Sequence, residues 1–403
     1  MSTRASFFLI FSAGVAILGF AQVYLFRKAF RLIRKVIRHP RLQQALIGFT
    51  CVLLVLMFLP YLFRLFYKWP EHEVSAFVLY GMLYPLSIWS LGSVSSCILI
   101  GLKDMSAIVL HACRRWRGQK HPESTSPSQV TRRDFLRWTF GAAALSPLGA
   151  LTYGAAIGKE WHEIVEHTLV LPNLSPALQG LRLVQLTDIH VGNFLKQERL
   201  EEYVRVVNEL GPDLVALTGD FIGSSPQFIR PCAKALGKLR AKQGVFACLG
   251  NHDHWVGAHT MTSALEAAGV EVLRNEGRRL LIRDVPLNVA GVDDPWRGTA
   301  DFDQALADLH PAAPTVLLCH QPDLFPAAAR RGVALTLSGH YHGGQIKLPL
   351  PGFSLSPAHL ISRFVEGLYR SGRSQLYVSR GIGVTGPPIR LNARPEITLL
   401  HLT

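Results

Sequence analysis

The chain has 403 residues, too long for one ordinary domain, and carries a net charge of +14 with 49% apolar residues. Residues 1–160 hold 19 Lys+Arg against 6 Asp+Glu, whereas the remainder holds 23 against 22. The basic excess therefore belongs to an apolar N-terminal part, and no nucleic-acid partner is expected.

Three uncharged runs come first. Ala5–Phe26, Ala45–Phe63 and Val74–Leu102 are each long enough to span a bilayer, which takes about 20 residues. A fourth run, Trp138–Ile157, is weakly apolar and rich in Gly and Ala. It follows Arg132-Arg133, Phe135-Leu136 and Arg137, and this order resembles a twin-arginine export signal. Its place after three spans departs from the N-terminal position of such signals, and it reads equally as positive charge ahead of an ordinary span. The stretch RGQKHPESTSPSQVTRR between the third and fourth runs is polar and Pro/Ser-rich, as expected of a flexible linker. The organisation is thus a membrane region with three helices over 1–112, a basic linker over 113–137, a fourth span or signal anchor over 138–158, and a separate domain over 164–403.

Loop charge sets the expected orientation. Seven Lys/Arg lie between Phe26 and Ala45 and eight between Lys103 and Arg137, against Arg64 and Lys68 between the second and third runs. The two basic loops are expected on the cytoplasmic side, which puts the N-terminus and everything after the fourth run outside. The runs lack the central ionisable residues that mark transport paths, so they read as anchors or partner-binding helices rather than a transporter.

From about Ile164 the pattern turns to short β-runs alternating with helical stretches. The run LRLVQLTDIH ends in Asp188 and His190, and DLVALTGD ends in Asp220. GVFACLGNHDH ends in Asn251, His252 and Asp253. PTVLLCH ends in His320, and VALTLSGHYH ends in His340 and His342. Any one tail has an ordinary structural explanation, such as an aspartate capping a helix. Five in succession at the C-terminal ends of strands point to one site, because ligands of α/β sheets collect there. Three carboxylate or amide side chains and four imidazoles suit Mn, Fe or Zn. A carboxylate between two cations supports a pair about 3.5–4 Å apart that clamps an in-line displacement at phosphorus. Cys248 and Cys319 each end an apolar strand and are expected as buried free thiols; no cysteine spacing suggests a zinc knuckle or disulfide framework.

The order D-x-H, G-D, G-N-H-D, H and G-H-x-H resembles the calcineurin-like metallophosphoesterase superfamily over roughly Val170–Thr403. The resemblance implies a fold of two packed β-sheets flanked by helices, closed by a strand such as PEITLLHLT. It implies that Asp188, His190, Asp220 and His342 hold one divalent metal and Asp220, Asn251, His320 and His340 the other. The nucleophile would be a hydroxide activated by both ions. His252 would hold no metal and face the leaving group. Gly223 stands where the protein-phosphatase branch has an aspartate, which disfavours a Ser/Thr protein phosphatase; Asp253 is the expected partner of His252. His254 reads as a rim or surface residue, and Arg297 and Arg380 as phosphate contacts. Leu348–Arg373 reads as a lid or rim beside the metals. The spans, the twin-arginine-like segment and GVTGPPIRLNARPEIT are similar to a membrane-linked bacterial branch, in which some members act on nucleotide-linked lipids. That implies a multi-pass protein of the bacterial inner membrane and a phosphodiester, phosphomonoester or pyrophosphate substrate, for example a UDP-acylglucosamine. The competing reading is a non-catalytic, membrane-anchored metal-binding scaffold; oligomeric state is not legible.

Overall fold

The computed structural model describes residues 3–66, 74–117 and 132–403. They fall into two compact units, one formed by residues 1–70 and 76–153, the other by 71–75 and 154–403. The central linker residues 118–131 lie outside the described residues, as do the side chains of Arg132 and Arg133.

The first unit is helical. Among the described residues, four helices are long and apolar enough to cross a membrane. The first two apolar runs lie in helices Thr3–Val36 and Pro40–Phe66, the third in Ala76–Trp116, and the fourth starts in Arg132–Tyr153. The helices are longer than the uncharged runs: Thr3–Val36 carries Arg34 and Lys35 in its last turn. Most of the basic stretch after Phe26 is thus helix and not loop, because Arg and Lys are good helix formers whose charges also suit a helix C-terminus. Polar side chains join the helices internally. Gln22 Nε2 donates to Ser93 Oγ (2.9 Å), and Ser96 Oγ donates to the Ala144 carbonyl (2.6 Å). Gly92 lets two helices touch, since a Cβ there would lie 2.4 Å from Leu148 Cδ2.

Among the described residues the second unit holds fourteen strands: β1 (Glu163–Leu169), β2 (Leu181–Leu186), β3 (Leu214–Thr218), β4 (Val245–Cys248), β5 (Glu271–Val272), β6 (Glu276–Ile282), β7 (Val285–Gly291), β8 (Thr315–Leu318), β9 (Leu335–Ser338), β10 (Leu348–Leu350), β11 (Phe353–Leu355), β12 (Gly367–Ser371), β13 (Ser374–Val378) and β14 (Glu396–Leu402). One sheet runs β1-β14-β2-β3-β4-β5 and the other β12-β13-β9-β8-β7-β6, with β10-β11 a separate hairpin. Neighbours β2, β3 and β4 are parallel, as are β7, β8 and β9. The closing strand β14 enters the first sheet between β1 and β2, parallel to β1 and antiparallel to β2.

Strand alternation builds the layers. Leu183, Leu214 and Ala216 of one sheet pack with Val316, Leu318, Leu335 and Leu337 of the other, forming the core between the sheets. The alternate residues Val184, Val215 and Leu217 face outward and are covered by helices Gln197–Glu209, Ile229–Leu236 and Asn251–Ala267. Helices Phe302–Leu306 and Phe325–Arg330 cover the outer face of the second sheet through Phe302, Ala305 and Ala328. The sheets are also tied by a polar contact: buried Gln185 of β2 donates to Thr218 Oγ1 (2.9 Å) and to the Ser338 carbonyl of β9 (2.9 Å). This is the expected architecture of two packed sheets flanked by helices. Cys248 and Cys319 are free and buried, as expected.

Candidate metal centre

Strands β2, β3, β4, β8 and β9 end at one edge of the two packed sheets, and their tails turn abruptly there. Asp188, His190, Asp220, His340 and His342 all adopt the left-handed region, with φ of 50°, 52°, 55°, 73° and 52°. For a residue with a Cβ this conformation costs about 1–2 kcal/mol, and such strain concentrates at functional sites. The reversed backbone brings five side chains from two sheets towards one point. The glycines of the motifs make the convergence possible. A Cβ on Gly250 would lie 2.2 Å from Asp220 Oδ1, and one on Gly339 would lie 2.0 Å from Asp188 Oδ2.

The converging atoms fall into two adjacent groups. Asp188, His190 and His342 present ligand atoms within 4.8 Å of one another, and so do Asp220, His320 and His340. His342 Nε2 lies 3.4 Å from Asp188 Oδ1 and 3.1 Å from His190 Nε2. His340 Nδ1 lies 3.3 Å from His320 Nε2. The carboxylate of Asp220 lies between the groups: its Oδ2 is 3.5 Å from His190 Nε2 and 3.4 Å from His320 Nε2. Buried Asn251 stands at the second group, where Gln321 Nε2 donates both to its Oδ1 and towards His340 Nδ1 (3.4 Å each). Gln321 is held by Asp294 Oδ2 (3.1 Å).

This donor set fits cations. Burial, reinforced by neighbouring imidazoles, lowers His190 and His340 to about 3 and His342 well below its ordinary value, so these rings are neutral and offer lone pairs. Burial opposes ionisation of Asp220 as well, but His320, His252 and His190 around it win and hold the carboxylate well below its usual range. Burial likewise pulls His320 down, yet Asp220 and Asp188 push it up to about 10. The buried carboxylate is thus balanced by a proton on His320 where a cation would do the same. Divalent metals need that nitrogen, so loading is expected to release protons and to weaken as pH falls. Asp188, raised by burial to about 7, adds to the effect in the same direction. Calorimetric titration of Mn or Zn into the full chain, in buffers of different ionisation heat, should show net proton release at pH 7; metal binding without it would contradict this electrostatic picture.

His252 belongs to the same edge but is held differently. Its backbone N–H donates to Asp220 Oδ1 (2.8 Å), and its ring Nδ1–H donates to the Gly223 carbonyl (2.6 Å). The ring stands edge-on to His190, centroids 4.7 Å apart, and its nitrogen groups with His190 and Asp220 within the same 4.8 Å. With Nδ1 bonded to a carbonyl, Nε2 is the nitrogen left to exchange a proton. The expected partner Asp253 is elsewhere. Its carboxylate accepts from the backbone N–H of Asp220, Phe221 and Gly250, each at 2.9 Å. It splints the β3 and β4 tails instead of touching the histidine. Gly223, where an aspartate was missed, supplies the orienting oxygen through its main chain.

The profile of the calcineurin-like phosphoesterase family matches residues 181–344, the segment from β2 to the turn after His342. An uncharacterised metallophosphoesterase of Bacillus subtilis is 36% identical over 284 residues, covering 68% of this chain and 98% of the relative. The chain belongs to the calcineurin-like phosphoesterase family. It is thereby a hydrolase, and the family's dependence on divalent metal accords with the donor set. A phosphodiesterase of Escherichia coli is 31% identical, covering 68% of this chain and 99% of its own. A zebrafish (Danio rerio) transmembrane protein with a metallophosphoesterase domain is 30% identical over 323 residues, covering 76% of this chain and 72% of its own. That likeness and the four apolar helices together indicate membrane association.

Two other expectations about the phosphoesterase site are corrected by its packing. Arg380 is not free for phosphate: its Nε donates to Glu396 (2.6 Å) and its Nη2 to Glu163 (2.9 Å). His254 is not a surface residue, since its side chain is 7% exposed and pairs with Asp293 Oδ1 (2.6 Å), itself bound by Arg274. Leu348–Arg373, expected as a lid or rim, contains the β10-β11 hairpin and the edge strand β12. Arg297 holds its guanidinium 5.7 Å from the ring of Trp255, which neighbours His252. One residue went unread in the sequence. Arg390 is wholly buried, donates to the carbonyls of Gly383 (2.8 Å), Ala393 (2.9 Å) and Arg380 (2.9 Å), and points Nη2 at His342 Nδ1 (3.3 Å). Only its place in the Pro-rich run PPIRLNARP sets it apart in sequence.

Proposed function

We propose that this chain hydrolyses a phosphate ester with two divalent cations, one held by Asp188, His190, Asp220 and His342, the other by Asp220, Asn251, His320 and His340. The observation that carries the reading is the Asp220 carboxylate standing between His190 and His320. Ions of the Mn, Fe or Zn type would supply Lewis-acid charge to the phosphoryl oxygens and lower the pKa of water. His252, with Nδ1 fixed on the Gly223 carbonyl, presents Nε2 to protonate the departing alkoxide. Arg297 beside Trp255 is the cation available at the mouth for a phosphate or diphosphate group. The substrate class we favour is a lipid- or nucleotide-linked phosphate ester, UDP-acylglucosamine being one example.

The test is turnover by the full chain loaded with Mn or Zn. Phosphomonoesters, phosphodiesters and nucleotide-linked lipids should be compared side by side, and hydrolysis of none of them would overturn the reading. We also propose that the phosphoesterase domain lies on the extracytoplasmic side of a bacterial inner membrane, since basic residues crowd the segments on either side of the second and third apolar runs. An alkaline phosphatase fused after Thr403 is expected to be active and a cytosol-dependent fluorescent protein dark; the opposite pattern would invert the topology.

A further inference from the structure

The loops bordering the phosphoesterase site carry most of the exposed large apolar side chains of this domain. Trp255 is 50% exposed with its ring centroid 4.3 Å from that of His252, and Trp296 is 57% exposed and edge-on to His340 at 4.7 Å. After His342 the chain makes the β10-β11 hairpin and a short turn at Pro357–Leu360. There Leu348, Phe353, Leu360 and Ile361 are 60%, 62%, 86% and 75% exposed. This excursion is fastened beside the ligands. A Cβ on Gly344 would lie 2.1 Å from Ser356 Oγ. Tyr341, between the two ligand histidines, donates to Asp323 Oδ2, and Ser362 donates to Oδ1 of the same carboxylate, each at 2.6 Å. Away from this edge, Trp161 and Ile164 are exposed where the chain enters β1, and Val170 and Leu281 are exposed singly, which is ordinary for a soluble surface.

The chemistry of the rim selects its occupant. Residues 343–365 contain no Asp or Glu, while Arg363 lies over the Phe364 ring (4.6 Å) and Arg297 near Trp255 (5.7 Å). Tryptophan with Leu, Ile and Phe, edged by arginine, is the composition that settles at a lipid headgroup boundary. The domain is also tethered close to a bilayer. Residues 154–162 join the last membrane-type helix to β1, a span of at most about 30 Å even if fully extended.

We propose that this apolar rim docks onto the surface of the bilayer that anchors the chain, so that the site draws a lipid-borne phosphate ester from the membrane surface. The substrate half of the proposal rests on the phosphoesterase reading of the site; the docking half does not.

The experiment uses the full chain in nanodiscs of phosphatidylethanolamine and phosphatidylglycerol. Two esters share a leaving group: water-soluble bis(4-nitrophenyl) phosphate, and a diacylglycerol 4-nitrophenyl phosphodiester residing in the same discs. The double variant L360D/I361D should hydrolyse the lipid ester about tenfold more slowly or worse, because two apolar side chains no longer partition into the bilayer, and should leave the soluble ester unchanged. Unchanged hydrolysis of both esters, or an equal loss on both, overturns the proposal. A second measurement does not use turnover. In discs of lipids brominated near the headgroup, Trp296→Phe should lower the quenched fraction of total tryptophan fluorescence, since a docked Trp296 is among the quenched residues. A rise in that fraction means Trp296 faces water and overturns docking. Wild-type protein that cleaves neither ester defeats the functional reading alone, and the quenching result then decides docking by itself.

Discussion

Replacing Asp220 with alanine is expected to remove both divalent cations at once and to lower kcat/KM on every phosphate ester by on the order of 10³-fold or more, beyond the roughly 10²–10³ that a single transition-state hydrogen-bond donor is worth. The expectation comes from position. Asp220 Oδ2 is 3.4–3.5 Å from one imidazole of each group, and among the described residues no other carboxylate stands between them. Asp188, the other carboxylate of the candidate centre, belongs to one group only. Without the bridging charge, two cations would face one another across neutral histidines. Asp220→Asn separates charge from shape, because an amide oxygen still accepts the His252 N–H that Oδ1 accepts at 2.8 Å. It should keep the fold and one cation at reduced affinity. Elemental analysis after gel filtration measures the stoichiometry directly, and two metals per chain in Asp220→Ala would contradict the bridging role. Thermal unfolding adds an independent reading: metal should raise the Tm of the wild type through ligand linkage and leave that of Asp220→Ala unmoved.

The parts of this molecule that were legible in sequence are those where local pattern and chemistry coincide. The near-continuous apolar runs in LRLVQL and DLVALT mark strands buried on both faces, and a residue with a metal-binding side chain follows two positions after each. Hence the five strand-end tails could be read directly, and their order carried the family resemblance that implied two packed sheets. What escaped was decided by backbone direction and by partners far away in sequence. Nothing about Asp253 in isolation shows that its carboxylate faces three backbone N–H groups across the β3 and β4 tails. Gly223 looked like a missing aspartate because only side chains are visible in a sequence, yet its carbonyl supplies the hydrogen bond. Arg380 resembled a phosphate contact until Glu163 and Glu396, both distant in the chain, occupied its guanidinium. The left-handed conformation at five ligands was equally invisible, since Asp and His tolerate it without advertising it.

His252→Ala is expected to retain both metals yet to slow turnover about 10²–10⁴-fold for esters whose leaving alkoxide is strongly basic, the usual worth of a positioned general acid. Metal should be retained because the contact His252 makes with Asp220 runs through its backbone N–H, which alanine keeps. The ring itself is tied to the Gly223 carbonyl through Nδ1, and its centroid lies 4.3 Å from that of the exposed Trp255, the two rings tilted by 53°, where a leaving group would depart. A 4-nitrophenolate needs little protonation as it leaves, so 4-nitrophenyl esters should lose far less rate, on the order of tenfold. His340→Ala and His342→Ala should behave in the opposite way. Each removes an imidazole whose nitrogen lies within 4.8 Å of the other ligand atoms of its group, so metal affinity should fall and all esters should suffer together. The decisive quantity is the ratio of rates for alkyl and nitrophenyl esters in the metal-replete variant. A ratio unchanged from wild type, or loss of metal on removing the His252 ring, would show that this side chain binds a cation and does not move the proton.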